Sequence, residues 1–297
     1  MLAITQSGNI YHYLNWIPSE SGPTVIHYGK IRKEIEDPEK FKQKHYEILA
    51  DIISTIGNEE PICNYSLDRN NLIFSTSYID IENPNLNNWY QRQVKDEILS
   101  DTMDYFHYPM HNGSGLLLSI AMPKMIRESF QYNMRRLKAR LNGISTGIFS
   151  AENGARNWFH ADKLDSYLIW KIGKKKKDEI LFIHNNMLES YFSIKRTTKQ
   201  VKIDWQFGNH DSASKICKYI EGLITNKNQN ESFISKIFIY ASNGNNPDVK
   251  NFENKSKGKI VLLNPLSVLT TFKEKKINMY ETLPLAETGN AFRKIDV

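Results

Sequence analysis

The sequence contains only two cysteines, Cys63 and Cys217, among its 297 residues. They lie far apart, and neither belongs to a CxxC pair or to a cluster of cysteine and histidine. We therefore expect neither a disulfide framework nor a zinc site. The eight histidines also lack the spacing of metal ligands. These absences favour a protein of a reducing compartment without a structural metal.

Long apolar runs are missing as well. No run approaches the roughly 20 residues that a membrane-spanning helix needs. The N-terminal residues lack the basic and then apolar pattern of a secretory signal. The sequence therefore predicts a cytoplasmic location, in which membrane contact is made only through a partner.

The motifs of several common enzyme classes are absent. The sequence has no Walker lysine loop, no GxSxG, no HExxH and no GxGxxG. Four carboxylates, Asp162, Asp165, Asp178 and Glu179, flank a central segment and are candidates for general bases or magnesium ligands. None follows an apolar run in the position of a catalytic acid facing a cleft, so we interpret them as turn or surface carboxylates. The residues themselves predict no catalytic group and no metal site.

Bulk composition is that of a globular protein, with 40% hydrophobic and 24% charged residues. The length suits one or two domains. A net charge of +6 and a pI near 9.0 favour anionic partners, either nucleic acid or lipid. Lysine and arginine are spread along the chain without a nucleic-acid-binding motif, so we predict no nucleic-acid partner.

The stretch 164–196 organises the chain. Its three apolar runs, 167–172, 180–183 and 188–194, are separated by GKKKK and by an Asn-Asn pair. Runs of this length, rich in isoleucine, tyrosine and phenylalanine, predict three antiparallel strands joined by two hairpins. The lysine-rich tip is typical of a solvated turn, and anion binding is the alternative.

The first 28 residues predict the same strand, turn, strand, turn, strand pattern, with Ser7-Gly8-Asn9 at the first turn. A supersecondary pattern repeated at half the chain length indicates two related lobes, and we place their boundary near residue 160. Helices are predicted at 41–56, after an Asp37-Pro38 cap, and at 86–99. A third follows Pro123 and extends to residue 141, which places four basic residues in its last turns: Arg135, Arg136, Lys138 and Arg140.

Taken together, the order of elements resembles that of the actin-like ATPase superfamily, and within it the PilM type of pilus assembly protein. The stretches that carry the resemblance are LAITQSGNIYHY at the first phosphate hairpin, LLLSIAMPKMIRESFQYNMRRLKARLNGISTGIFSAENGARNWF at an apolar strand with a Pro-Lys helix, the stretch 164–196 at the second phosphate hairpin, KIFIYASNGNNPDVKNF with KIVLLNP at the adenosine side, and ETGNAFR at the terminal helix. The resemblance implies an α/β fold of two actin-like, ribonuclease H-like lobes, each a mixed sheet flanked by helices. The lobes would span 1–160, with a subdomain inserted at roughly 30–110, and 161–297.

The resemblance also implies a nucleotide site. Its residues would be Thr5, Ser7 and Gly8 in the first hairpin, Lys171, Gly173 and Lys174 in the second, and Asn243 and Gly244 at the adenosine side. The family carries Asp-x-Gly in the first hairpin, where this chain has Thr5 and Ser7, and an aspartate in the second, where it has Lys171. Because magnesium would lose its fixed anionic ligands, we expect no ATP hydrolysis. Binding of ATP with magnesium without turnover is the alternative.

The function implied by the resemblance is a cytoplasmic scaffold of a type IV pilus or related secretion-type machine, peripheral to the inner membrane. It would bind the cytoplasmic tail of a membrane-anchored, PilN-like protein in a groove of the first lobe. Two alternatives on the same fold are a phosphotransferase similar to sugar and acetate kinases, and a filament-forming actin-like protein, which would be a homo-oligomer.

Overall fold

The computed structural model describes residues 1–20, 22–33, 41–57, 60–78, 102–110, 115–225, 233–244, 246–255, 258–271 and 278–292. The predicted Asp37-Pro38 cap and the predicted helix at 86–99 lie outside these ranges. Among the described helices, none is both long enough and apolar enough to cross a membrane.

Strands form most of the described structure. In chain order they are β1 (Leu2–Ser7), β2 (Ile10–Ser19), β3 (Gly22–Arg32), β4 (Ile62–Leu67), β5 (Ile73–Tyr78), β6 (Met103–Pro109), β7 (Leu116–Pro123), β8 (Arg140–Thr146), β9 (Ser166–Ile172), β10 (Lys177–His184), β11 (Met187–Arg196), β12 (Val201–Gly208), β13 (Lys236–Ala241), β14 (Ile260–Leu262) and β15 (Thr270–Thr271). The helices are α1 (Phe41–Ile56), α2 (Lys124–Arg136), α3 (Gly147–Phe159), α4 (His210–Thr225) and α5 (Pro247–Lys255), followed by a C-terminal 3₁₀ helix (Leu283–Phe292).

Two six-stranded sheets share the topology of five of their strands, and their sixth strands differ, since β15 pairs parallel with β3 and β12 pairs antiparallel with β11. Sheet one has the order β15-β3-β2-β1-β4-β8, and sheet two has the order β12-β11-β10-β9-β13-β14. In each, three consecutive strands pair antiparallel through hairpins. Two later strands then pair parallel beside the first strand of the hairpin unit. The duplicated pattern predicted from the sequence is confirmed, and each lobe is a mixed sheet with helices.

Sheet three, of order β5-β7-β6, is built from the segment between β4 and β8. Its central strand β7 is buried on both faces from Leu117 to Met122, which is why its sequence is a continuous apolar run. Phe74 of β5 packs on Tyr191 of sheet two, with ring centroids 5.4 Å apart. Aromatic contacts therefore join sheet three to the second lobe.

The hairpin turns follow the turn chemistry of their residues. Gly8 has a φ of +59° between β1 and β2, and Asn185 and Asn186 have φ values of +48° and +61° between β10 and β11. The lysine tip is different, because Lys175 and Lys176 take left-handed φ values of +54° and +57° although neither is glycine or asparagine. Non-glycine residues adopt this region at a cost, so the tip is a strained turn.

The predicted length of the helix after Pro123 is wrong. Helix α2 ends at Arg136, and Lys138, with a φ of +53°, turns the chain out of the helix. Arg140 then begins β8, which pairs with β4, and the backbone N–H of Arg140 donates to the carbonyl of Pro61 at 2.9 Å. An open sheet edge thus overrides local helix propensity, and Lys138 and Arg140 do not belong to a helical last turn. Strand β12 and helix α5 had no counterpart in the sequence prediction.

The C-terminal 3₁₀ helix is wedged against α3 and β1. A Cβ on Gly289 would lie 2.3 Å from the carbonyl oxygen of Ser150, so only glycine permits this approach. The backbone N–H of Asn290 donates to Ser150 Oγ at 2.9 Å. This packing brings the last described segment between the first strands of the two lobes.

Candidate functional site: the cleft between the two sheets

Equivalent strands of the two sheets meet at one place, which we call the cleft. Thr5 lies near the end of β1 and Lys171 near the end of β9, so each residue is close to the hairpin turn that follows its strand. The ends of β1, β9 and β13 also meet here. Ser7 Oγ donates to the carbonyl of Ser242 at 3.1 Å, and Ser242 N–H donates to the carbonyl of Ile172 at 3.2 Å.

Glu287 of the C-terminal 3₁₀ helix connects these strands. Thr5 Oγ1 donates to Glu287 Oε2 at 2.9 Å, and the hydroxyl of Tyr240 donates to Glu287 Oε1 at 3.0 Å. Lys171 Nζ lies 2.8 Å from Glu287 Oε1. Glu287 is only 2% exposed, so its charge depends on this lysine and these two hydroxyl groups. The structure therefore brings the predicted residues Thr5 and Lys171 together through a carboxylate that the sequence analysis missed.

Gly147 at the start of α3 makes room for this carboxylate. A Cβ at position 147 would lie 2.6 Å from Glu287 Cδ. Within the C-terminal segment LPLAETGNAF, Glu287 is the one charged residue. A lone acid in an otherwise apolar and small-residue segment was the signal that could have identified it, because such a charge is rarely buried without a partner.

A second carboxylate faces Lys171 from β10. Glu179 Oε1 lies 3.8 Å from Lys171 Nζ, and the hydroxyl of Tyr191 donates to Glu179 Oε2 at 2.8 Å. Burial by itself lowers the pKa of Lys171, but the carboxylates of Glu287 and Glu179 outweigh it and raise the pKa above the usual lysine value. Lys171 therefore stays an ammonium inside the protein, and its charge is balanced by the chain's own acids.

Two of the four carboxylates interpreted as turn or surface groups are placed differently. Asp162 and Asp165 are exposed as predicted, whereas Glu179 faces the cleft and Asp178 is fully buried. Asp178 is held by an ion pair with Arg196 and accepts a hydrogen bond from Trp170 Nε1 at 2.9 Å. The prediction is wrong for Asp178 because the alternation of the strand turns its side chain inward, where the arginine compensates its charge. It is wrong for Glu179 because this side chain faces Lys171.

Both phosphate-type hairpins have a backbone N–H that donates to a nearby aspartate. In the second hairpin, Gly173 N–H donates to Asp178 Oδ1 at 3.2 Å. In the first, Gly8 N–H donates to Asp68 Oδ2 at 2.8 Å. These N–H groups are therefore satisfied by carboxylates and are not free to donate to a phosphate.

The remaining predicted residues lie around the same opening. Lys174 is exposed on the hairpin tip, outside the ion-paired cluster. A Cβ on Gly244 would lie 2.6 Å from the carbonyl oxygen of Glu281, so the turn after β13 packs closely on the segment that leads to the C-terminal 3₁₀ helix. Asn243, beside it, has a buried Oδ1 without a hydrogen-bond donor.

ATP with magnesium fits this cleft poorly. Magnesium prefers several oxygen ligands in an octahedral arrangement, and within the described ranges no group of three or more acidic, histidine or cysteine side chains gathers to hold a metal. Glu287 is already paired with the ammonium of Lys171, which repels a divalent cation. We therefore assign no catalytic step to these residues.

Comparison with solved structures gives the fold. A PilM–PilN complex of type IV pilus biogenesis matches over 98% of this chain and 98% of the other, with a TM-score of 0.60 and 8% identity. The chain therefore has the fold of the matched chain in that complex. Two further matches are the cytoplasmic domain of EpsL, an inner-membrane component of the type II secretion system of Vibrio cholerae (11% identity, 96% and 93% coverage, TM-score 0.46), and a Bacteroides thetaiotaomicron protein with an actin-like ATPase fold (8%, 97% and 95%, 0.45).

No protein-family model and no curated protein sequence matches the chain. The resemblance identified from the order of elements is thus confirmed at the level of the fold, at an identity where residue roles do not transfer. The ion-paired cluster of Thr5, Lys171, Glu179, Tyr240 and Glu287, here called the cleft cluster, is a property of this chain's own residues.

Proposed function

We propose that the protein is a cytoplasmic scaffold that binds the tail of a membrane-anchored partner and does not hydrolyse ATP. The partner would belong to a type IV pilus or a related secretion-type machine. The observation that carries the proposal is the cleft cluster, because Lys171, which stands where the resemblance implies an aspartate, is ion-paired with Glu287. The near-complete overlap with PilM in a PilM–PilN complex supports a docking role.

The absence of hydrolysis follows from the energetics of the cleft cluster. A nucleotide phosphate could pair with Lys171 only after Glu287 gave up its cation, and the released carboxylate would be nearly buried and next to the phosphate. Separating a buried pair costs about 3–5 kcal/mol. The contacts of a bound nucleotide would have to offset this cost before any net affinity resulted.

A thermal-shift titration with ATP and magnesium tests this part. We expect no rise in the melting temperature at millimolar nucleotide. Binding would be visible in this assay, because a ligand at 100 times its Kd would stabilise the protein by about 2.7 kcal/mol. A saturable rise that disappears in Lys171→Met would contradict the proposal. The exposed Lys163→Gln is the matched control for a lysine outside the cleft.

A small pocket between sheet one and sheet three, here called the groove, is our candidate for the docking site. Its walls are apolar side chains from strand ends of both sheets, with Ser145 and Thr146 at one side: Leu67, Leu72, Phe106, Tyr108, Ile120, Met122 and Ile144. Phe106 is 39% exposed there, which is unusual for a large aromatic residue. We propose that an apolar side chain of a short tail enters this groove.

Binding of synthetic cytoplasmic tails of PilN-like proteins tests the docking part. We expect Phe106→Ser to weaken the binding of the matching tail by about tenfold or more, as loss of an aromatic anchor does. Ile73→Ser is the control, because Ile73 is 54% exposed on the opposite face of the same sheet. Equal effects of both substitutions, or no binding of any tail, would remove support for the groove. The cleft cluster offers no specific support to the phosphotransferase or filament alternatives, which need a free catalytic base or a nucleotide.

A further inference from the structure

Two connections of sheet two collect exposed lysines at one end of the second lobe. Strands β9 and β11 run in the same direction, since both are antiparallel to β10, so the turns that follow them lie at the same end of the sheet. The first turn contributes Lys174, Lys175 and Lys176, and Lys177 begins β10 directly after it. The second turn contributes Lys199. Lysines that the sequence spreads over 29 residues thus become neighbours.

Cross-strand pairing extends this surface. Lys177 is directly opposite Lys195, and Lys195 is directly opposite Lys202. Residues that face each other in antiparallel strands carry their side chains on the same side of the sheet. All the lysines of the two turns and this row are exposed. We call this surface the lysine face; it consists of Lys174, Lys175, Lys176, Lys177, Lys195, Lys199 and Lys202.

Little of this charge is neutralised locally. Asp204 pairs with Lys195 at 2.7 Å and with Lys177 at 3.6 Å, yet these two side chains stay 52% and 56% exposed. The nearby acids are engaged elsewhere. Asp178 and Asp248 bind the buried Arg196, and Glu221 accepts the backbone N–H of Val201. Within the described part of the chain, seven ammonium groups therefore face solvent, and Asp204 is the one carboxylate seen to pair with them.

From this geometry we infer that the lysine face binds an anionic phospholipid surface directly. Clusters of four to eight lysines are of the size that anionic membranes attract. The two turns, GKKKK and TTKQ, contain no aromatic residue on which a nucleic-acid base could stack. This contact would add to the proposed partner docking and would orient the second lobe towards the bilayer, which goes beyond the expectation that membrane contact is made only through a partner.

Sedimentation of the purified full chain with lipid vesicles tests the inference. One set of vesicles contains phosphatidylcholine alone, and the other contains phosphatidylcholine with one third phosphatidylglycerol. The tip variant is Lys174→Gln/Lys175→Asn/Lys176→Asn, because asparagine tolerates the left-handed φ of positions 175 and 176. At about 1 kcal/mol for each lysine, we expect the tip variant to bind anionic vesicles about 100-fold more weakly.

A second variant probes the other turn without touching the tip. Lys199→Gln/Lys202→Gln should weaken binding to anionic vesicles about 25-fold. The matched control Lys30→Gln/Lys163→Gln/Lys215→Gln removes three exposed lysines outside the lysine face, and we expect a loss within about threefold because distant charges are screened. Binding of the wild type should fall steeply as salt is raised.

Several results would overturn the inference. They are equal binding to neutral vesicles, no binding to anionic vesicles, or a control variant that loses as much as the tip variant. Tighter, tip-dependent binding of a single-stranded oligonucleotide than of anionic vesicles would assign the lysine face to nucleic acid instead. Since the vesicles contain no protein, these outcomes are independent of whether a partner tail binds the groove.

Discussion

Replacing Glu287 with glutamine should destabilise the protein strongly, because it leaves the ammonium of Lys171 buried without its closest anion. Glu287 is 2% exposed and Lys171 9% exposed, and their charged atoms are 2.8 Å apart. The other acid, Glu179, is 3.8 Å from the lysine and replaces only part of the lost interaction. Breaking one half of a buried pair costs about 3–5 kcal/mol.

This loss should be measurable by chemical denaturation and by the melting temperature. For a chain of this size we expect a decrease in the melting temperature of about 5–8 °C. Lys171→Met should have an effect of similar size, since it leaves Glu287 without its cation. The double variant Lys171→Met/Glu287→Gln should be less destabilised than the sum of the two single variants by about 2–3 kcal/mol, because it removes both charges together.

The double-mutant cycle also provides the refutation. Additive effects within about 0.5 kcal/mol would mean that Lys171 and Glu287 do not interact. Their ion pair would then not explain why a nucleotide phosphate cannot pair with Lys171. A loss below about 1 kcal/mol in both single variants would show that water or a bound ion compensates the buried charge. Lys163→Gln, which removes an exposed charge, should stay within about 0.5 kcal/mol of the wild type.

Three further outcomes follow from buried groups elsewhere in the chain. Burial lowers the pKa of His45 to about 3 and, with help from Lys30, that of His12 to about 4. Because the unfolded chain takes up these protons near pH 6.5, stability should fall as the pH drops below that value, by about 1.4 kcal/mol for each pH unit and each histidine. In urea denaturation curves, His45→Gln should remove one of the two contributions. Asp178→Asn should cost about 3–5 kcal/mol in the same assay, since the buried guanidinium of Arg196 loses its buried counter-ion and keeps only the more exposed Asp248, and an unchanged midpoint would contradict this. Gly289→Ala should lower the melting temperature by displacing the C-terminal 3₁₀ helix from α3, whereas the equivalent change at Gly258, which has open space around it, should cost only the strain of its φ of +84°.

Local signals in the sequence determined much of the architecture. Alternating apolar runs and the turn residues between them located both hairpin units, because a strand's period and a turn's φ requirements are properties of a few adjacent residues. The repetition of that unit then indicated two lobes, and the order of elements indicated the fold. The division at residues 160 and 161 stays a prediction.

Only the tertiary structure decided the site. Glu287 is 282 residues from Thr5 along the chain and 116 from Lys171, and a charge on a terminal segment carries no local sign of the ammonium it will meet. In the same way, the end of α2 depended on an edge of β4 that was open for pairing, and the lysine face depended on two turns that the sheet places side by side. Propensity and periodicity act between near neighbours, whereas ion pairing, strand pairing and surface charge act between residues that only the fold brings together.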